Sequence, residues 1–126
     1  MELHKLVEDV TQKQLDDVEK FADNLWGKLG VDVKFTKHFI ERLNDSRNGK
    51  QITSAELIRL FKKEYEKYGK DVKNIEDGDE AIFMDLLTSV NLPFVINDRR
   101  GNKELAAKTI MRKPDFKSND TAYKVQ

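Results

Sequence analysis

The chain has 126 residues, 38% of them hydrophobic and 37% charged, with no cysteine and a formal net charge of zero. Such a length suits one domain with one modest core, the lack of cysteine excludes disulfides, thiolate catalysis and cysteine-held metal centres, and neutrality argues against a surface that coats nucleic acid uniformly. No run approaches the roughly 18 apolar residues that span a membrane, and the opening MELHKLVEDV carries acids rather than a basic, apolar leader, so a cytoplasmic protein without a membrane partner is expected.

In chain order, Thr11 is placed to cap a helix reaching about Gly30, because Leu15, Val18, Ala22, Leu25 and Leu29 recur at helical spacing, with Phe21 and Trp26 widening the buried face. Residues 1–10 read as a flexible extension of the single domain, in which Leu3, Leu6, Val7 and Val10 either continue that helix or form a separate turn. VDVKF at 31–35 alternates as a strand does. Thr36 then caps a short helix that turns Phe39, Ile40 and Leu43 inward and ends near Asn44, before the Asn48-Gly49 turn signal. Thr53-Ser54-Ala55-Glu56 matches a capping box, and Leu57, Leu60, Phe61, Tyr65 and Tyr68 follow at core spacing up to Gly69, read as a left-handed C-terminal cap.

Beyond residue 70 the period changes. EAIFMDLL at 80–87, LPFVI at 92–96 and KELAAKTIMRK at 103–113 read as strands, the last two joined by a hairpin at NDRRGN; Asp85 is either edge-exposed or paired. Residues 114–126 form a polar tail or supply a last short strand at TAYKV. The order predicts an α+β fold, with N-terminal helices packed on one face of a three- to four-stranded antiparallel sheet.

Charge is segregated along the chain. Residues 31–70 carry ten basic against six acidic side chains and 99–126 carry eight against three, whereas 1–30 carry four lysines against seven acids and 71–98 one against seven. If the two basic segments meet they form one positive face; otherwise they are ordinary surface charge. Within them, His38 and Arg42 lie one helical turn apart, a titratable imidazole beside a guanidinium that clamps phosphate. Arg47 and Lys50 follow on the loop as candidate phosphate ligands. In the last strand, alternation places Lys108, Ile110 and Arg112 on one face and Thr109, Met111 and Lys113 on the other.

Metal-free RNA cleavage needs a base, an acid and cations around the phosphorane. His38 suits the proton transfer, Arg42, Arg47, Lys108 and Arg112 the charge, and Thr109 a phosphate hydrogen bond, with the base left open. The plainer alternative makes His38 a surface histidine and pairs Arg42 with Glu41, Asp45 or another acid. Only His4 joins His38 as a second histidine and the acids lack metal-loop spacing, so neither metal nor cofactor is expected.

The run HFIERLNDSRNGKQITSAELIRLF, followed by DLLTSVNLPFVIND and AAKTIMRK, resembles small phage-encoded proteins of the barnase, EndoU, colicin D and RelE-like nuclease superfamily over about residues 35–113. The resemblance implies an endoribonuclease acting on RNA, transfer RNA included, with His38, Arg42, Lys108, Thr109 and Arg112 in the site. It departs from that pattern in its neutrality and in having no second histidine in the sheet. The alternative expectation is a noncatalytic phage protein, either a virion component or a small regulator that binds a host protein.

Overall fold

The structure, a computed structural model, describes residues 10–126; the expected N-terminal extension, Val10 apart, lies outside the described residues. Helix α1 spans Gln12–Gly27 and begins in a full capping box between Thr11 and Gln14. It buries Leu15, Val18, Ala22 and Trp26, and the chain then turns at Gly30, whose φ of +80° a side chain would resist. Strand β1, Val31–Phe35, alternates buried and exposed residues as its sequence requires. Helix α2, Lys37–Leu43, is capped by the Thr36 hydroxyl, which also donates to the Ala107 carbonyl at 3.0 Å, fixing the helix start to the sheet.

After a 3-10 turn at Ser46–Asn48, helix α3 runs from Ser54 to Lys73 behind the Thr53–Glu56 capping box. Gly69 does not end this helix, contrary to expectation: the helix continues for another turn and Asn74 closes it. The glycine is there for space, since a Cβ at position 69 would lie 2.8 Å from the Cδ1 of Leu29.

The strands are β2 Glu80–Asp85, β3 Val90–Arg99, β4 Asn102–Ala107, β5 Met111–Arg112 and β6 Thr121–Val125. Helices packed against a sheet make the α+β class expected, but the sheet has six strands and is mixed rather than a three- to four-stranded antiparallel meander. Its order is β1-β4-β3-β2-β6, with β5 beside β3. The antiparallel β2-β3-β4 centre is the meander the sequence suggests, closed between β3 and β4 by Arg100 and Gly101, both at positive φ as a two-residue hairpin demands. β1 adds to it parallel to β4, and β6, the TAYKV segment, parallel to β2.

KELAAKTIMRK is two strands rather than one. Ala107 and Ile110 both enter the core, three residues apart, so one extra residue interrupts the alternation much as a bulge does. Lys108, Ile110 and Arg112 therefore do not share a face. The helix-facing side of the sheet is aromatic: Phe83 stacks on Trp26 at 5.6 Å and meets Phe94 at 4.5 Å, while Phe35 stacks on Phe39 at 4.4 Å. Tyr65 meets Trp26 edge-on at 5.6 Å, and Tyr68 packs on Tyr123 at 5.1 Å, so both tyrosines join the core margin. To reach β6 from β5, residues 113–120 cross the opposite side of the sheet over Met84 and Asn91.

Candidate functional site

The basic residues singled out from the sequence fall into three separate settings. His38 is exposed in the first turn of α2, with the half-buried Arg42 one turn on. The Nε of Arg42 is buried without a hydrogen-bond partner, and its charge helps stabilise the Asp45 carboxylate. Arg47 is turned back onto Asp45, donating to it from the backbone at 2.8 Å and from the guanidinium at 2.7 Å. These bonds, the side-chain bond foremost, pull the Asp45 pKa down to about 2.

Lys108 follows Ala107 on the side of the sheet away from the helices, where its ammonium pairs with Glu80. Thr109 is half-buried in the break between β4 and β5.

Arg112 has a third role. Its guanidinium is only 12% exposed and grips Glu56 through two bonds of 2.7 and 2.9 Å. It also donates to the carbonyls of Lys50, Gln51 and Thr88 at 3.2, 2.9 and 2.7 Å. Burial raises the Glu56 carboxyl, but the bonds from Arg112 and from the Thr53 amide outweigh it and hold its pKa below the usual range. Asn48, buried, completes the joint: it donates to the Arg42 and Leu43 carbonyls at 2.8 and 3.1 Å and accepts from the Arg112 amide at 3.2 Å. Arg112 thus clamps the 44–53 loop to β5, with its donors turned inward. Lys50 stays exposed on that loop and contributes its carbonyl to the clamp. Residues 42–56 and 112 do come together, in an internal joint, while Lys108 lies on the other side of the sheet.

The structure draws attention elsewhere. Glu64 is fully buried on α3 with neither carboxyl oxygen in a well-formed hydrogen bond. Burial, with the nearby Asp85 charge, pushes its pKa up to about 9 against the opposing pull of the Met84 backbone and Lys67. Asp85, also buried, is paired rather than edge-exposed: Arg59 donates to one oxygen at 2.8 Å and the Leu87 amide to the other at 2.9 Å. The Ser89 amide donates to the Asp85 carbonyl and the Leu86 amide to the Val125 carbonyl, each at 2.8 Å. Four hydrogen bonds therefore fix the turn at residues 86–89, and that turn holds Leu86 and Leu87 outward at 49% and 71% exposure, the exposed large hydrophobics among the described residues.

The sequence carried a signal for each of these. Glu64 interrupts the apolar stripe of α3 at a core position, and Leu86-Leu87 runs into a turn instead of a strand. Two hollows flank Leu86. One, of about 590 Å³, is lined by Lys63, Lys67 and Lys124 with Glu66; the other, of about 850 Å³ beneath the crossing segment, by Lys113, Lys117 and Lys124 with Asp115.

Both sheet edges are covered by helix side chains. Glu19 and Asp23 of α1 accept the outward Phe35 and Val33 amides of β1 at 2.7 and 2.9 Å. On β6, Lys67 and Tyr68 of α3 donate to the Lys124 carbonyl at 3.4 and 3.2 Å. Two amides of β1 and one carbonyl of β6 are thereby withheld from an added strand. No helix of the described residues is long and apolar enough to cross a membrane. Comparison with family models, with curated proteins and with solved structures gave no match.

Proposed function

We propose that the chain is a noncatalytic protein-binding domain that docks through the Leu86–Leu87 turn. The single observation that carries this reading is the exposure of two adjacent leucines on a turn fixed by Asp85, Arg59 and Val125. A turn already held in one backbone conformation loses little freedom on docking, so more of the gain from burying its two leucines is kept as affinity. The ribonuclease reading draws less support, because Arg112 is committed to Glu56, Lys108 to Glu80 and Arg47 to Asp45, which takes three of the five cations expected around a phosphate.

Two measurements test the proposal together. RNA and transfer RNA incubated in chelator are expected to survive equally with the wild type and with His38→Ala; cleavage that needs His38 overturns it. A photo-crosslinking residue at position 87 is expected to give discrete protein adducts, and Leu86→Ser in the same chain is expected to reduce them severalfold. Adducts unchanged by Leu86→Ser overturn the role of the leucines.

A further inference from the structure

We infer that the protein docked on the Leu86–Leu87 turn is a second copy of this chain, which receives a leucine between α1 and α2 at the opposite edge of the sheet. The inference rests on the protein-binding reading above and adds the identity of the partner. Its basis is a matched pair of features on one molecule. The knob is the leucine pair, flanked by five lysines, Lys63, Lys67, Lys113, Lys117 and Lys124, against Glu66 and Asp115. The hole is a hollow of about 220 Å³ with an apolar floor of Leu15, Phe35 and Ile40 and a rim of Asp16, Glu19 and Lys34. A cavity of roughly 150 Å³ already accepts a benzene ring, so this one has room for a leucine side chain.

Charge agrees with shape. The hole adjoins a second hollow along β1 that brings Asp23, Asp32 and Glu104 beside Asp16 and Glu19, against Lys20 and Lys34. One edge of the molecule is thus acidic around an apolar depression, and the other is basic around an apolar projection. Their sum in the whole chain is a formal charge of zero, so copies do not repel one another at long range. With both sheet edges covered by Glu19, Asp23, Lys67 and Tyr68, the contact is one of side chains and not of added strands.

The geometry also sets the symmetry. The knob is the turn from β2 to β3, at the strand ends beside β6, whereas the hole lies beside β1 at the other end of the strand order, so the two are separate features of one molecule. When one knob fills one hole, each copy keeps a free hole or a free knob, so this head-to-tail contact propagates into a ring or a chain.

The test is sedimentation and light scattering of the full chain, from micromolar up to roughly 1 mM, the weak end of specific association. The weight-average mass is expected to rise with concentration and pass that of a dimer. Leu86→Ser/Leu87→Ser removes the knob, and Ile40→Glu removes the hole. Asp16→Lys, a surface change, serves as a second hole variant in case Ile40→Glu fails to fold. The leucine pair and Ile40 variants are each expected to weaken association about tenfold or more, as loss of a buried aliphatic contact does, and Asp16→Lys to weaken it severalfold by setting a cation against the lysines of the knob. Mixing a knob variant with a hole variant leaves one intact knob facing one intact hole, so the mixture is expected to form dimers and stop there. A chain that stays monomeric throughout, a wild-type plateau at dimer, or a mixture no more associated than its components overturns the inference. Binding of phosphatidylserine vesicles or of an RNA oligomer through the leucines, without self-association, also overturns it. A monomeric chain that still gives leucine-dependent crosslinks at position 87 overturns the second copy as partner and leaves the protein-binding reading standing.

Discussion

Arg112 and Glu56, 56 residues apart in sequence, share two hydrogen bonds of 2.7 and 2.9 Å, with side chains 12% and 17% exposed. The pair joins β5 to the first turn of α3 through a residue that is also half of the Thr53–Glu56 capping box. Glu56 thus serves helix initiation and tertiary docking with one carboxylate.

Removing the guanidinium strands that carboxylate and three carbonyls at once. Arg112→Ala is expected to destabilise the fold by roughly 2–4 kcal/mol, the range for breaking a largely buried hydrogen-bonded pair. Arg112→Lys recovers only part of this, because an ammonium lacks the planar fork that reaches both Glu56 oxygens and the Gln51 and Thr88 carbonyls. Urea unfolding of the three proteins checks both statements.

Glu64 predicts how stability varies with pH. Its folded pKa, about 9, lies above the ordinary 4.5, so the folded chain keeps a proton that the unfolded chain releases. The stability it contributes is whole below pH 4.5 and is lost as pH rises through about 9, with a slope near 1.4 kcal/mol per unit between. Glu64→Gln, neutral throughout, is expected to remove that slope and to be the more stable protein at alkaline pH. Unfolding free energies measured from pH 5 to 9 decide it; parallel curves for the two proteins contradict the assignment.

The carboxylates over β1 make a third case. Glu19→Ala and Asp23→Ala each free an edge amide, of Phe35 and of Val33 respectively. Each is expected to cost about 1–2 kcal/mol, as loss of a charged acceptor does. Hydrogen exchange is expected to accelerate selectively, at Phe35 in the first variant and at Val33 in the second. Equal acceleration across the sheet would instead mark a global loss.

At Gly69 two effects oppose. Alanine gains about 1 kcal/mol of helix preference, while its Cβ displaces the free end of Leu29. Gly69→Ala is expected to fall within about 1 kcal/mol of wild type, whereas Gly69→Val, with two more carbons directed at Leu29, is expected to lose roughly 1–3 kcal/mol. Thermal unfolding of the pair separates them.

Much of this fold is local and therefore legible in the sequence. Thr11, Thr36 and Thr53 announce their helices by hydroxyls placed to accept the first free amides, and VDVKF shows the two-residue period of its strand. Pairing is not local. Nothing in VDVKF names KELAA at Lys103–Ala107 as its partner, although side chains of α1 and the Thr36 hydroxyl help hold the pair in place. The break at Lys108–Ile110 was hidden by a continuous strand-like pattern, since the extra residue shows itself only when Ile110 is seen in the core. The basic residues misled for a related reason: type and spacing show that a cation exists, whereas Glu56, Glu80 and Asp45, which occupy Arg112, Lys108 and Arg47, come from other turns and strands or lie back along the loop.

The parallel pairing of β1 with β4 bears on how the chain folds. Val31 is matched to Lys103 and Phe35 to Ala107, with α2, α3, β2 and β3 between them in sequence. During synthesis β1 must wait, with Val31, Val33 and Phe35 lacking a sheet to enter, until some 70 further residues have left the ribosome. Contacts of such long range are slow to form and leave apolar surface uncovered meanwhile. The carboxylates of Glu19 and Asp23 reach β1 from the helix just before it, so they can shield the outer amides of the waiting strand from other chains long before its inner partner exists.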